Sequence, residues 1–245
     1  MTARGVEAHL EQAFGRADAQ HFAWQTQHPV VGTEEARLVR AAFEPLGRRV
    51  LDVGCAEGAT LHHLGEPAQA IGVDLFEEKL AFARERVAGC RFVQGSAYAL
   101  PFGAGSFDHA LVRDVLHHLE DPVRALLEIA RVLEPGGRLD VLEPCRNNPL
   151  VAAHALMNVA ERGELRSTPA AVRAWVERAG MRVERVVSYQ PLPLHRLVFH
   201  PSFGRPSLGA NALARAAVGS VERLAALAMP RALWAYLHVR ATRTA

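Results

Sequence analysis

The sequence predicts a doubly wound α/β domain, with helices packed on both faces of a mostly parallel sheet. Three observations predict it. Short β-branched and aliphatic runs at 50–53, 70–73, 91–94, 107–112 and 139–142 alternate with helical stretches of about ten to fifteen residues, the pattern of parallel strands joined by helical crossovers. The first run ends at a glycine bend, Gly54-Cys55-Ala56-Glu57-Gly58. The second ends on a carboxylate, Asp74. A chain of 245 residues, 49% hydrophobic and 22% charged, suits one ordered domain with an elaboration and can bury a sizeable core.

The elements follow in order. Glu7 to Arg16 is expected to be helical, and Thr33 to N-cap a second helix with Glu34 and Glu35 in its first turn. Between them, His21-Phe22-Ala23-Trp24-Gln25 is expected to pack on the sheet. Val50 to Val53 is a buried strand running into the glycine bend, and Ala59 begins a helix. After Ala70-Ile71-Gly72-Val73, the stretch Phe76 to Val87 places Phe76, Leu80, Ala83 and Val87 on one helical side. Arg91 to Gln94 and Phe107 to Val112 are strands three and four. Asp121-Pro122 opens the next helix as N-cap and first-turn proline; its expected stripe is Val123, Leu126, Leu127, Ile129, Ala130 and Leu133, and Pro135-Gly136-Gly137 ends it. Leu139 to Leu142 is strand five, and Leu150 to Ala160 is expected to be a helix. Thr168-Pro169 starts another that Gly180 closes, and Met181 to Val187 is strand six. Trp234 to Val239 suits a last strand.

The bend and the carboxylate mark a nucleoside pocket. Gly54 and Gly58 carry no Cβ, so the backbone can approach a ligand closely, and amides near the start of the next helix are left for an anionic group. A carboxylate at the tip of the second strand can accept two hydrogen bonds from a ribose diol. A dinucleotide fingerprint wants three glycines in G-x-G-x-x-G, but here Ala56 takes the second place and Ala59 the third, which argues against a pyrophosphate and an NAD-dependent oxidoreductase.

Five stretches in series resemble the small-molecule branch of the class I S-adenosylmethionine (SAM)-dependent methyltransferases. They are Asp52 to Gly58, Asp74, Gly95 to Phe102, Phe107-Asp108 with Leu116-His117-His118-Leu119, and Leu133 to Gly137 followed by Leu142-Glu143-Pro144. Together they cover roughly residues 48–145. The resemblance implies a Rossmann-like, seven-stranded sheet whose last strand is antiparallel and lies between the fifth and sixth. It implies SAM as cofactor, S-adenosylhomocysteine as product and a small-molecule acceptor. Asp52, Gly54, Cys55 and Gly58 would form the cofactor loop, Gly54 approaching the methionine part. Asp74 would hold the ribose, though an N-cap role toward the following helix competes. Leu75 would line the adenine, Ser96 stands where many relatives have aspartate, the Ala97 amide would serve the base, and Val112 and Arg113 would face the methionine side. His118 matches a histidine that packs beneath a helix in such proteins. His117 and Asp114 are the candidate general bases. No metal is implied.

On this reading residues 1–47 form a helical lid, 48–145 the cofactor core, 146–190 the acceptor-side half, 191–232 a helical insert and 233–245 the last strand. Arg146, Asn147 and Asn148 border the acceptor or form an ordinary turn. The insert's helix aligns Leu213, Ala217, Val221, Leu224 and Ala228 on one face; it is expected to cap the acceptor, with a membrane-surface or homodimer contact as the competing role. The acceptor is expected to be an O- or N-methylated metabolite, then a lipid or quinone-like molecule; a SAM-fold protein without catalysis is the other alternative, resting on Ala56 and Ser96.

Charge is uneven. Residues 181–245 carry nine Arg against two Glu, while the net charge of the whole is +2. Basic residues are not interleaved with aromatics on a recognisable module, which argues against nucleic acid. Cys55, Cys90 and Cys145 suggest neither disulfide framework nor zinc knuckle, and reduced thiols suit the cytoplasm. The first residues lack an apolar signal core, so export is not expected.

Overall fold

The computed structural model describes residues 15–67 and 69–244, so the expected helix over Glu7 to Arg16 lies almost wholly outside the described residues. Seven strands form one sheet in the order β3-β2-β1-β4-β5-β7-β6. They are β1 (Val50–Val53), β2 (Ala70–Asp74), β3 (Arg91–Gln94), β4 (Phe107–Arg113), β5 (Leu133–Pro144), β6 (Met181–Tyr189) and β7 (Tyr236–Arg243). The first five pair in parallel, and β7 runs antiparallel to both β5 and β6. The strand order reverses between β1 and β4, and the crevice beyond the carboxyl ends of these strands is where open α/β sheets bind ligands.

Helices cover both faces: α1 (Ala19–Gln27), α2 (Val31–Phe43), α3 (Ala59–His63), α4 (Glu77–Arg86), α5 (Pro122–Val132), α6 (Pro149–Met157), α7 (Pro169–Arg178), α8 (Leu194–Val198) and α9 (Ala212–Ala228). One core cluster packs Leu126, Ile129, Val172 and Val176 against Leu139 and Val141; the other packs Leu38, Phe43, Leu61 and Leu80 against Val50 and Leu111. Phe22 belongs to the second cluster, on the sheet as expected, whereas Trp24 packs away from the sheet in a third cluster with Val31 and Phe199, its Nε1 donating to the Phe199 carbonyl at 2.8 Å. The sheet also buries Asp140, fully enclosed between His109, His238, Arg138 and Arg240 at 2.7–3.0 Å. A lone buried carboxylate would be costly, but four donors satisfy it and hold its pKa far below the usual range despite burial.

Several local expectations need correction. Thr33 does not cap α2: its hydroxyl donates to the Pro29 carbonyl, while His28 Nδ1 accepts from the Val30 and Val31 amides at 3.3 and 3.2 Å. Along α5 the packed stripe is Pro122, Ala125, Leu126, Ile129 and Val132; Leu127 lies about 100° round from Leu126 and is exposed. The expected helix from Leu150 to Ala160 breaks at Asn158, whose side chain accepts from the Ala160 amide and starts a 3₁₀ segment, Val159–Arg166. Asn148 is no substrate contact. It is fully buried, caps α6, and donates to the Pro191 and Leu233 carbonyls, clamping both ends of the insert. The insert's helix turns the other way from expectation: Ala214, Val218, Glu222, Ala225 and Met229 face inward, whereas Leu213, Leu224 and Leu227 point outward. Glu222 decides this, because its carboxylate accepts from the His195 amide and pairs with His195 Nδ1 at 2.7 Å.

Candidate functional site

The glycine bend closes tightly on the tip of β2. Amides of Gly54 and Cys55 both donate to the Val73 carbonyl, at 2.7 and 3.0 Å. Gly54 sits at φ +74°, and a Cβ built there would meet Val115 Cγ2 at 2.4 Å, so the position admits glycine. Ala56 also takes a left-handed conformation, φ +47°. Its amide donates to Asp74 Oδ2 at 2.9 Å, while Asp74 Oδ1 accepts from the Phe76 amide at 3.1 Å. Burial raises the Asp74 carboxyl above its usual range, opposed by these two hydrogen bonds.

A cavity of about 740 Å³ opens over this bend. Gly54, Asp74, Leu75, Ser96, Ala97 and Asp114 line it, joined by Phe76, Tyr98 and His118. A second, of about 610 Å³, is lined by Gly54, Cys55, Arg113 and Asp114 together with Arg16, His21, Gln25 and Glu161. Asp114 borders both. Four of the expected residues border neither: Asp52, Val112 and His117 are buried behind the surface, and Gly58 serves as the left-handed N-cap of α3. Burial pushes the Asp52 carboxyl up to about 7, with Arg113 pulling down and Asp74 pushing up.

At the tip of β4, Asp114 is held at φ +55°. Its Oδ2 lies 3.4 Å from Arg113 Nε, and its Oδ1 is buried without a hydrogen-bond partner. Burial pushes the Asp114 carboxyl up to about 6, against the downward pull of Arg113 and Arg196. Behind it lies a buried charge network. Glu35 of α2 receives Arg113 and a bidentate pair from Arg196, Nε at 2.8 Å and Nη2 at 2.7 Å. Burial opposes ionisation of Glu35, but Arg196 and Arg113 outweigh it and hold the group at about 2. Helix α2, the tip of β4 and α8 are thus tied to one carboxylate.

The two histidines exchange the positions expected of them. His117 is the buried one, because the 3₁₀ turn Leu116–His118 is drawn inward by Glu143, which accepts from the Val115 and Leu116 amides at 2.8 Å and meets His117 Nδ1 at 2.6 Å. His117 Nε2 faces Glu161 at 3.3 Å. Burial alone would lower its pKa; the charge and hydrogen bond of Glu143, with Glu161 behind, raise it to about 10. His118 faces the larger cavity, and burial together with the His117 charge lowers it to about 4. Arg196 and Glu161 carry no signal in the sequence, and Glu35, expected only as a first-turn acid of its helix, instead anchors two arginines. For Glu143 the only signal in the sequence is its place in the Leu142-Glu143-Pro144 stretch.

A SAM molecule fits what is present. The larger cavity falls in the range of small-molecule sites. Each Asp74 oxygen accepts one backbone hydrogen bond and keeps acceptor capacity for a diol. Ser96 Oγ accepts from the Tyr98 amide at 3.2 Å and keeps its own proton to donate.

Comparison with known proteins agrees. Residues 51–141 match the family model described as "Methyltransferase domain". The ubiquinone biosynthesis O-methyltransferase of Xanthomonas axonopodis pv. citri is 32% identical over 187 residues, spanning 67% of this chain and 77% of the relative. The O-methyltransferase cnsE of Penicillium expansum is 35% identical over 140 residues, 51% of each chain. Among solved structures, a "possible histamine N-methyltransferase" of Thermotoga maritima superposes with a TM-score of 0.66 at 22% identity, covering 96% of this chain and 99% of its own. The chain spans about half the length of the first two curated relatives it matches.

Proposed function

We propose that this chain, which belongs to the class I SAM-dependent methyltransferases, transfers the cofactor's methyl group to an oxygen or nitrogen atom of a small-molecule acceptor. The observation that carries the reading is Asp114, a carboxylate with an unpartnered oxygen standing where the cofactor cavity meets the polar second cavity. Bound SAM supplies a sulfonium-activated methyl, lost by in-line displacement to leave S-adenosylhomocysteine.

The residues divide the work. Asp74 holds the ribose, Leu75 lines the adenine, and Ser96 with the Ala97 amide meets the base. Gly54 brings backbone close to the methionine end. Alignment of acceptor and methyl then supplies much of the acceleration. Asp114 takes the acceptor's proton, a role suited to a carboxyl raised to about 6. His117, caught between Glu143 and Glu161, is better placed to keep a proton than to take one, so it positions Asp114's neighbourhood through Glu143. The second cavity, with Arg16, His21, Gln25, Arg113 and Glu161 on its walls, supports a polar acceptor.

A second reading, a lipid or quinone-like acceptor collected at a membrane surface, draws on the outward Leu213, Leu224 and Leu227 beside Arg215 and Arg223. Among the described residues no helix is long and apolar enough to cross a membrane. Incubation with methyl-labelled SAM and a panel of hydroxylated, amine and lipid acceptors tests both. Label in a polar product supports the first reading and label in lipid the second; SAM binding without transfer to any acceptor leaves a non-catalytic protein.

A further inference from the structure

We propose that His117, His118 and Glu161 form a binding site for one divalent transition-metal ion of the zinc type, at the edge of the two cavities. Their donor atoms all lie within 4.8 Å of one another, with His117 Nε2 at 3.3 Å and His118 Nε2 at 3.8 Å from Glu161 Oε2. Ligands held tetrahedrally at about 2.1 Å from zinc stand about 3.4 Å apart, so the cluster is nearly at coordination spacing. Two imidazoles with one carboxylate select zinc or iron over magnesium or calcium, which prefer all-oxygen sites.

The surroundings are those of a built site. His117 turns its other ring nitrogen to Glu143, fully buried, at 2.6 Å; this carboxylate–histidine pairing orients and strengthens a metal-bound imidazole. The segment carrying Glu161 is locked onto the histidine turn. Arg166 Nη2 donates to the His117 and Leu119 carbonyls at 3.1 and 2.7 Å, and Gly163 packs so close that a Cβ there would fall 1.7 Å from the His117 oxygen. Zinc would displace the proton from His117 Nε2, and the dication between the two imidazoles, then neutral, would balance Glu143 and Glu161. The site is also open on one side: His118 lines the larger cavity and Glu161 the second, which leaves a position for water or an acceptor oxygen.

The site does not rest on the methyl-transfer reading, and its test omits SAM. Protein without a polyhistidine tag, stripped with chelator, is titrated with zinc sulfate by calorimetry. One equivalent should bind. Glu161→Gln and His118→Ala should each weaken it at least tenfold, Glu143→Gln by about 10–100-fold, and His62→Ala, removing a histidine paired with Glu66, should change nothing. X-ray absorption at the zinc edge of the wild-type protein should report two imidazoles, whatever the variants' folding. Absence of binding, binding unaffected by Glu161→Gln and His118→Ala, or a shell without paired imidazoles overturns the proposal. SAM calorimetry on the same metal-free sample reads the cofactor site independently.

Discussion

Replacing Asp74 with asparagine separates two roles that one carboxylate performs. The side chain keeps its volume but loses its charge and one acceptor oxygen. Asp74 now accepts from the Ala56 amide at 2.9 Å and the Phe76 amide at 3.1 Å, and is only 9% exposed. Asparagine serves one of these amides and turns an NH₂ group toward the other, which costs about 1–3 kcal/mol of folding stability. For a chain of this length that lowers the Tm by roughly 2–4 °C per kcal/mol. This loss is expected even if Asp74 merely ties the bend to the start of α4. The ribose role adds a second effect, because a diol loses its charged acceptor: about 1–3 kcal/mol again, or a Kd for SAM raised roughly 5- to 150-fold. Urea melts and calorimetry with SAM and S-adenosylhomocysteine, run side by side, read the two effects. A variant that is destabilised but binds SAM within twofold of wild type would refute the ribose assignment and leave Asp74 as a structural tie.

Asp114→Asn should lower kcat by about 10²–10⁴ with SAM affinity unchanged; in the wild-type protein kcat/KM should rise with pH up to about 6 and then level, since the base works only when ionised, and that inflection should vanish in the variant. Gly54→Ala should cost about 1–2 kcal/mol for the left-handed backbone alone and weaken SAM as the new Cβ displaces Val115, both checked by melts and calorimetry. Glu35→Gln leaves Arg113 and Arg196 buried without their anion and should destabilise by about 3–5 kcal/mol in a denaturant titration. Leu227→Ser, on the outward face of α9, should shift stability by less than about 0.5 kcal/mol while lowering any vesicle binding, which flotation would detect.

Much of the sheet could be read from the chain because its strands are buried apolar runs punctuated by glycine, proline and acidic caps. Asp121-Pro122 and Thr168-Pro169 start helices as expected, their side chains accepting from Arg124 and Ala171. These are local signals, complete within a few residues. The buried charge network behind Asp114 was illegible for the opposite reason. Glu35, Arg113 and Arg196 meet from positions up to 161 residues apart, and no pattern within α2 or α8 announces the pairing. The α9 stripe failed similarly: five apolar positions in helical register define a face, but one ion pair, His195 with Glu222, decides which face turns inward. The histidine pair was inverted because Glu143, 26 residues downstream, chooses the ring it binds.

The two departures from the family's usual residues bear most directly on whether the site can work. Alanine at 56 forfeits the freedom of glycine, yet the backbone holds φ +47°, close to the left-handed conformation glycine would favour. A strain of about 1–2 kcal/mol is expected for such a residue, and the charged hydrogen bond from its amide to Asp74 is of comparable size. The bend therefore keeps its shape with a methyl added. Ser96 departs by losing a charge, but its hydroxyl still braces the turn through the Tyr98 amide and retains a proton to donate. Neither change blocks the cavity or unpairs a buried group, so neither favours a protein that binds SAM without using it. Ala56→Gly provides the direct measure: it should relieve the strain and raise stability by up to about 1 kcal/mol in a urea melt. Destabilisation instead would mean that the alanine methyl is packed where glycine leaves a void, and that the bend differs from the family's in more than one side chain.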